Sequence, residues 1–170
     1  LPAYQQTYAS CDAFSGELCT LETAIAQLAD AEETGALTPE HLTGMTPVAL
    51  MGSQLYPRKA LQLFAFHHPV NDYYKAVKEE TQLPAINQQH SFLAVFRHDD
   101  VVWRMDLEES EYQLLSALFA GETVGAALGT LNESASANIS GYFSRWMRNG
   151  LLAKHEYTGE PNGKMTHEAT

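Results

Sequence analysis

Cations are scarce in this sequence: ten Lys and Arg stand against 21 Asp and Glu, a formal charge of −11. The deficit is general, with four basic and ten acidic residues before His90, and six and eleven from it onward. Nucleic-acid affinity rests on neutralising phosphates with Lys and Arg, and docking on anionic lipid needs basic clusters. Neither nucleic acid nor a membrane surface is therefore an expected partner. Cysteine is equally sparse. Cys11 and Cys19 lie eight residues apart, so one disulfide is possible, but two reduced thiols in a cytoplasm fit better. No apolar run approaches the roughly 18 to 20 residues that span a bilayer. The chain opens on Leu1 rather than Met, as a trimmed chain does, and no charged-then-apolar opening marks it for secretion. The cytoplasm is the expected compartment.

Catalytic motifs are missing too. There is no Gly-rich phosphate loop, nucleophile elbow, H-E-x-x-H or C-x-x-C. Among seven histidines, His67 and His68 are adjacent and should point in different directions. His90 and His98 flank an apolar run and stand roughly 26 Å apart if it is extended. Asp99, Asp100 and Asp106 read as turn and cap residues, and neither cysteine has a visible activating group. No catalytic residue, metal ligand or cofactor is assigned to this chain, and an independent metalloenzyme is the least favoured class.

What is present is ordinary globular patterning, with 45% hydrophobic residues. Leu18, Leu21, Ile25 and Leu28 recur at helical spacing, predicting a helix from Gly16 to Glu33 with Ser15 as N-cap and Gly35 as stop. Thr38-Pro39 and Thr46-Pro47 are two further helix starts, with Pro at the first helical position. Residues 58–66 read as another turn or two of helix, and 71–80 as a polar helix carrying Tyr73, Tyr74 and Val77. The first half is thus expected to be all helix and turn.

The second half changes character. Ser91 to Arg97 and Val101 to Leu107 read as a hairpin around Asp99-Asp100. A helix follows Glu108-Glu109-Ser110 and runs to Ala120, burying Leu114, Leu115, Leu118 and Phe119. Thr123 caps a short second helix, and a third spans Ile139 to Asn149 with Ile139, Phe143, Trp146 and Met147 inward. Residues 151–157 return as a strand. The expected fold class is α+β: an N-terminal helical region, residues 1–81, for partner docking; a linker, 82–89; a winged helix-turn-helix domain of the peptide-recognition type, 90–158; and a polar tail, 159–170.

A winged helix reads DNA with its third helix, or captures a peptide that adds a strand to the hairpin edge. Arg145, Arg148 and Lys154 are a thin phosphate grip, so a DNA-binding regulator is the alternative reading. For a peptide, the candidate surface is Val101, Val102, Trp103, Arg104 and Met105, with Tyr142, Arg145 and Arg148 on the third helix. The three arginines together would attract an acidic leader.

These residues also carry a family likeness. Val101 to Leu107 (VVWRMDL), Glu111 to Leu118, Ala120 to Val124 (AGETV) and Phe143 to Leu152 (FSRWMRNGLL) resemble the C-terminal half of MbnC/HvfC-like proteins and the PqqD-type peptide-recognition elements. Leu21-Glu22-Thr23-Ala24, Leu37 to Leu42, Leu55-Tyr56-Pro57 and His68-Pro69-Val70 follow in the family's order. Thr23 and Tyr56 stand where the family has an aromatic and a His. The resemblance implies a non-catalytic accessory subunit in methanobactin-type biosynthesis and copper homeostasis. It would bind the leader of a ribosomally made precursor peptide and present its Cys residues to a multinuclear non-haem iron oxygenase of MbnB type, forming a heterodimer in which iron belongs to the partner. The first half would then supply docking surface, with Tyr56, Arg58, Phe64, Phe66 and His67 as candidates.

Overall fold

The computed structural model describes residues 2–131 and 138–153, with side chains from residue 13 onward. Helix α1 (Pro2–Ala29) is followed by a 3-10 turn (Pro39–Leu42) and helix α2 (Pro47–Gly52). Strand β1 (Leu61–Phe66), helix α3 (Val70–Lys78) and the hairpin β2 (Ser91–His98) and β3 (Val101–Leu107) come next. Helices α4 (Glu109–Phe119), α5 (Val124–Gly129) and α6 (Ile139–Arg148) complete a mixed α+β architecture.

The three strands form one antiparallel sheet in the order β1-β2-β3. The central strand is the continuous apolar run Leu93-Ala94-Val95-Phe96, each residue at most 3% exposed. Such a run marks a strand covered on both faces. Leu93 and Val95 pack with Phe14, Leu21 and Leu28 of α1 and Val70 of α3. Ala94 and Phe96 face Leu114, Leu115 and Leu118 of α4, Val124 and Ala127 of α5, and Trp146 of α6. Helices thus cover both sides of the sheet. The turn between β2 and β3 has Asp99 and Asp100 at φ of 50° and 63°. Two successive positive φ values are what a two-residue hairpin following the strand twist requires.

Local chemistry accounts for the helix starts. Thr46 and Thr123 each accept, through Oγ1, the backbone N–H three residues on, at 3.2 Å in both cases. Glu111 reaches back to the Glu108 N–H at 3.4 Å, as in a capping box. Gly121 and Gly150 follow α4 and α6 at φ of 94° and 64°, a conformation in which a Cβ is unwelcome.

Several expectations fail. Residues 61–66 are a strand, so the first half is not all helix: the helix formers Leu, Gln and Ala are overridden by pairing with β2 from Leu61↔Phe96 to Phe66↔Ser91. The chain before and after residues 82–89 therefore shares one sheet. Helix α1 runs through Ser15 and Gly16, which are neither cap nor start. Phe14, 4% exposed against His68 and Tyr73, extends the buried stripe and offsets the cost of Gly16, about 1 kcal/mol in a helix. The helix also ends at Ala29, six residues before Gly35, because Glu33 is drawn to Arg58 and the Asp100 N–H. Cys11 and Cys19 share this one helix, about 12 Å apart along its axis, which excludes a disulfide between them.

Among the described residues, the chain after α6 does not join the hairpin. Leu152 bridges Pro57 and Ala153 bridges Ala36. Lys154, the rest of the expected 151–157 strand, most of the 132–138 loop and the tail lie outside the described residues.

Candidate functional site

Strand β3 lies at one edge of the sheet. In an antiparallel pair closed by a two-residue turn, His98 and Val101 exchange hydrogen bonds, and bonded and unbonded pairs then alternate. The N–H and C=O of Val102, Arg104 and Asp106 consequently point away from β2. Among the described residues no backbone group pairs with them. An open row of this kind accepts an added strand unless something covers it.

Side chains differ on the two faces beside that edge. On one, Trp103 is 52% exposed and its indole Nε1 donates to the His98 carbonyl at 3.2 Å. Val101 is also exposed, while Met105 packs onto the α4–α6 core. On the other, Val102 rests on the α1 core. Arg104 donates from Nε to Asn71 Oδ1 at 2.9 Å and lies over the Tyr74 ring, 4.5 Å from its centre. Asn71, itself buried, donates from Nδ2 to Asp106 Oδ1 at 2.9 Å. Lys78 Nζ sits 5.5 Å from the same Tyr74 ring.

The residues assigned to α6 fall out differently. Tyr142 is 3% exposed, with its hydroxyl 2.5 Å from Glu108 Oε2 and 2.9 Å from Ser110 Oγ. Burial and the Glu108 carboxylate push the phenol above its ordinary value. This side chain locks α6 to the start of α4 and offers no face to a ligand. Arg145 forms an ion pair with the fully buried Glu111, which also accepts the Trp146 indole N–H at 2.7 Å. The expected trio of arginines is thereby reduced, since the part-exposed Arg145 is already paired with the buried Glu111 carboxylate. Arg148 remains exposed at the end of α6.

The docking candidates do not form one patch. Tyr56 and His67 stand before and after β1, whose six residues span about 20 Å. Both are exposed, with Tyr56 hydroxyl donating to Gln54 Oε1 at 2.8 Å. Phe64 stacks on Phe66 at 5.3 Å, and Phe66 is buried in the α1 core. Arg58, 5% exposed, donates to Glu33 at 2.8 Å, the Thr34 carbonyl at 2.8 Å and the Gly150 carbonyl at 3.1 Å. Burial removes Phe66 and Arg58 from any outer docking surface.

His67 and His68 converge after all: each presents Nδ1 to one oxygen of Glu17, at 3.0 and 2.9 Å. Burial raises the Glu17 pKa, but the His67 backbone N–H and the two imidazoles outweigh it and hold the carboxyl below its ordinary range. His68 is 1% exposed and its Nε2 has no partner among the described residues. Among the described residues no group of three His, Cys, Asp or Glu side chains is placed to hold a metal ion, and no helix is long and apolar enough to cross a membrane. Sequence reading missed Asn71, Tyr74 and Glu111; a lone amide in a polar helix and one acid among several carry no distinguishing pattern. Comparison with family models, curated proteins and solved structures finds no match to this chain.

Proposed function

We propose that this chain is a peptide-binding accessory subunit, which holds a ribosomally made precursor peptide for a separate iron oxygenase in the cytoplasm. The carrying observation is the β3 edge, whose Val102, Arg104 and Asp106 backbone groups are unpaired among the described residues beside the half-exposed Trp103. Strand addition at such an edge gives affinity through the main chain and specificity through alternate side chains. The order β2, β3, α4, α5, α6 supports reading residues 90–153 as a winged helix of the peptide-recognition kind. The family likeness supplies the chemistry: the partner, of MbnB type, holds the iron and converts precursor Cys residues to oxazolone and thioamide groups. The chain itself contributes no cofactor to this scheme.

A DNA-binding role is disfavoured on charge. Arg145 is held by Glu111, and the whole chain carries −11.

The test is to co-express the chain with an iron oxygenase encoded beside it and isolate the complex. The complex is then titrated with the neighbouring precursor peptide, and Cys modification is read by mass spectrometry. A stable one-to-one complex that binds the leader and modifies its Cys is the expected result. A chain that stays alone, ignores the peptide and binds duplex DNA with a steep salt dependence would replace this reading with a regulator.

A further inference from the structure

The open edge carries two opposite charges in a fixed order. Arg104 and Asp106 are two residues apart on one strand, so their side chains share the face covered by α1 and α3. Both are tied to the same buried amide: Asn71 Oδ1 takes the Arg104 Nε–H, and Asn71 Nδ2 donates to Asp106 Oδ1. Asn71 is 7% exposed, so these contacts are held rather than casual. Tyr74 supports the guanidinium from below at 4.5 Å. This leaves the terminal nitrogens of Arg104 and the second oxygen of Asp106 without another hydrogen bond or ion pair among the described residues. Between them on the opposite face lies Met105, next to the exposed Trp103.

Resting on the strand-addition reading, we infer that this edge selects a peptide segment with an acidic residue opposite Arg104, a basic residue opposite Asp106 and an apolar residue between them. The pairing geometry requires this. Residues 104 and 106 both direct their backbone groups outward, so an added strand pairs with both, its side chains about 5 Å from theirs. A one-residue slip moves the ligand's charges onto the Trp103–Met105 face and its apolar residues onto the charged one. The two charges therefore set register, a task the uniform hydrogen-bonding of a backbone edge cannot perform. The acidic-leader expectation is replaced by a mixed one: an acid suits Arg104, while Asp106 rejects a second acid two residues away.

Two blocked heptapeptides serve as probes, Thr-Val-Lys-Leu-Glu-Val-Thr and Thr-Val-Glu-Leu-Lys-Val-Thr. They have the same composition and differ only in charge order. Each is titrated into the full chain and into the double variant Arg104→Glu/Asp106→Lys, following backbone amide NMR shifts of Val102, Arg104 and Asp106. The wild type is expected to separate the peptides by about tenfold, and the double variant to invert their order. An antiparallel added strand places the Lys-Leu-Glu peptide first. Should the double variant fail to fold, Arg104→Gln/Asp106→Asn keeps the contacts to Asn71 and is expected to bind both peptides equally. Equal binding by the wild type, or an unchanged order in the variant, overturns the charge assignment while leaving strand addition standing. Absence of binding, with the three amides unmoved, sinks strand addition itself. A dimer seen by light scattering, with those amides protected from exchange, would give the edge to a second copy of the chain instead.

Discussion

Arg58 is a charged side chain where a hydrophobe would ordinarily sit. Its guanidinium ties the segment after α1 (Glu33, Thr34) to the turn after α6 (Gly150), with His98 Nδ1 3.2 Å away. Removing one member of a buried, hydrogen-bonded ion pair leaves its partners unsatisfied, which costs about 3 kcal/mol or more. Arg58→Met is therefore expected to lower stability by about that amount in urea unfolding, although Met fills much of the volume. An unchanged midpoint would mean that water takes over the freed carbonyls and Glu33. Glu17 makes a pH-dependent contribution of opposite logic to a raised histidine. Its folded pKa lies below the unfolded value, so its contribution is present above the ordinary glutamate range and is lost as pH falls through the lower folded pKa. Glu17→Gln is expected to flatten the decline of stability with acid across that window, measured by thermal unfolding at stepped pH. An identical slope in the variant would remove Glu17 from the acid response.

At the level of elements, α4 and α6 are joined by polar contacts as well as by packing. Glu111, fully buried, receives Arg145 and the Trp146 indole N–H, while Tyr142 closes on Glu108 and Ser110. Glu111→Ala strands the indole and leaves Arg145 beside an apolar void. A loss of about 3 kcal/mol is expected, with amide exchange in α6 accelerating before that of β2. Uniform acceleration across the chain would show that α6 has no separate opening. None of this latch was legible in the sequence, because Glu111 is one of three acids at the start of a helix and its partners lie more than 30 residues away. Short-range features were legible: the Thr46 and Thr123 caps, the Asp99-Asp100 turn and the full extent of β3 follow from neighbours in the chain. Strand β1 was not, since Leu61 to Phe66 has mixed exposure on both faces and its identity comes from pairing with a distant strand, from Leu61↔Phe96 to Phe66↔Ser91. For the site, the strand and its exposed Trp103 could be read from alternation, whereas the Asn71 clamp on Arg104 and Asp106 arises from tertiary approach of α3.

Across the whole molecule, the two apolar clusters are separated by the sheet yet share its central strand, with Leu93 and Val95 serving one and Ala94 and Phe96 the other. A strand buried on both faces cannot lose one layer without exposing half its side chains, so the clusters are expected to unfold together. Two indoles allow a direct measurement: Trp103 is half exposed and Trp146 fully buried in the α4–α6 cluster. In a Trp103→Phe background, Trp146 fluorescence reports that cluster alone. Leu21→Ala, placed in the α1 cluster where Leu21 is 0% exposed, removes three buried carbons and costs about 3 kcal/mol. If the molecule is one cooperative unit, the Trp146 transition moves to lower denaturant by that full amount, although Leu21 lies across the sheet from it. If instead the helical region before residue 82 and the chain after 89 fold as separate units, the Trp146 midpoint stays where it is. Circular dichroism would then split into two transitions. The six-residue pairing of β1 with β2 crosses that boundary and favours the single transition.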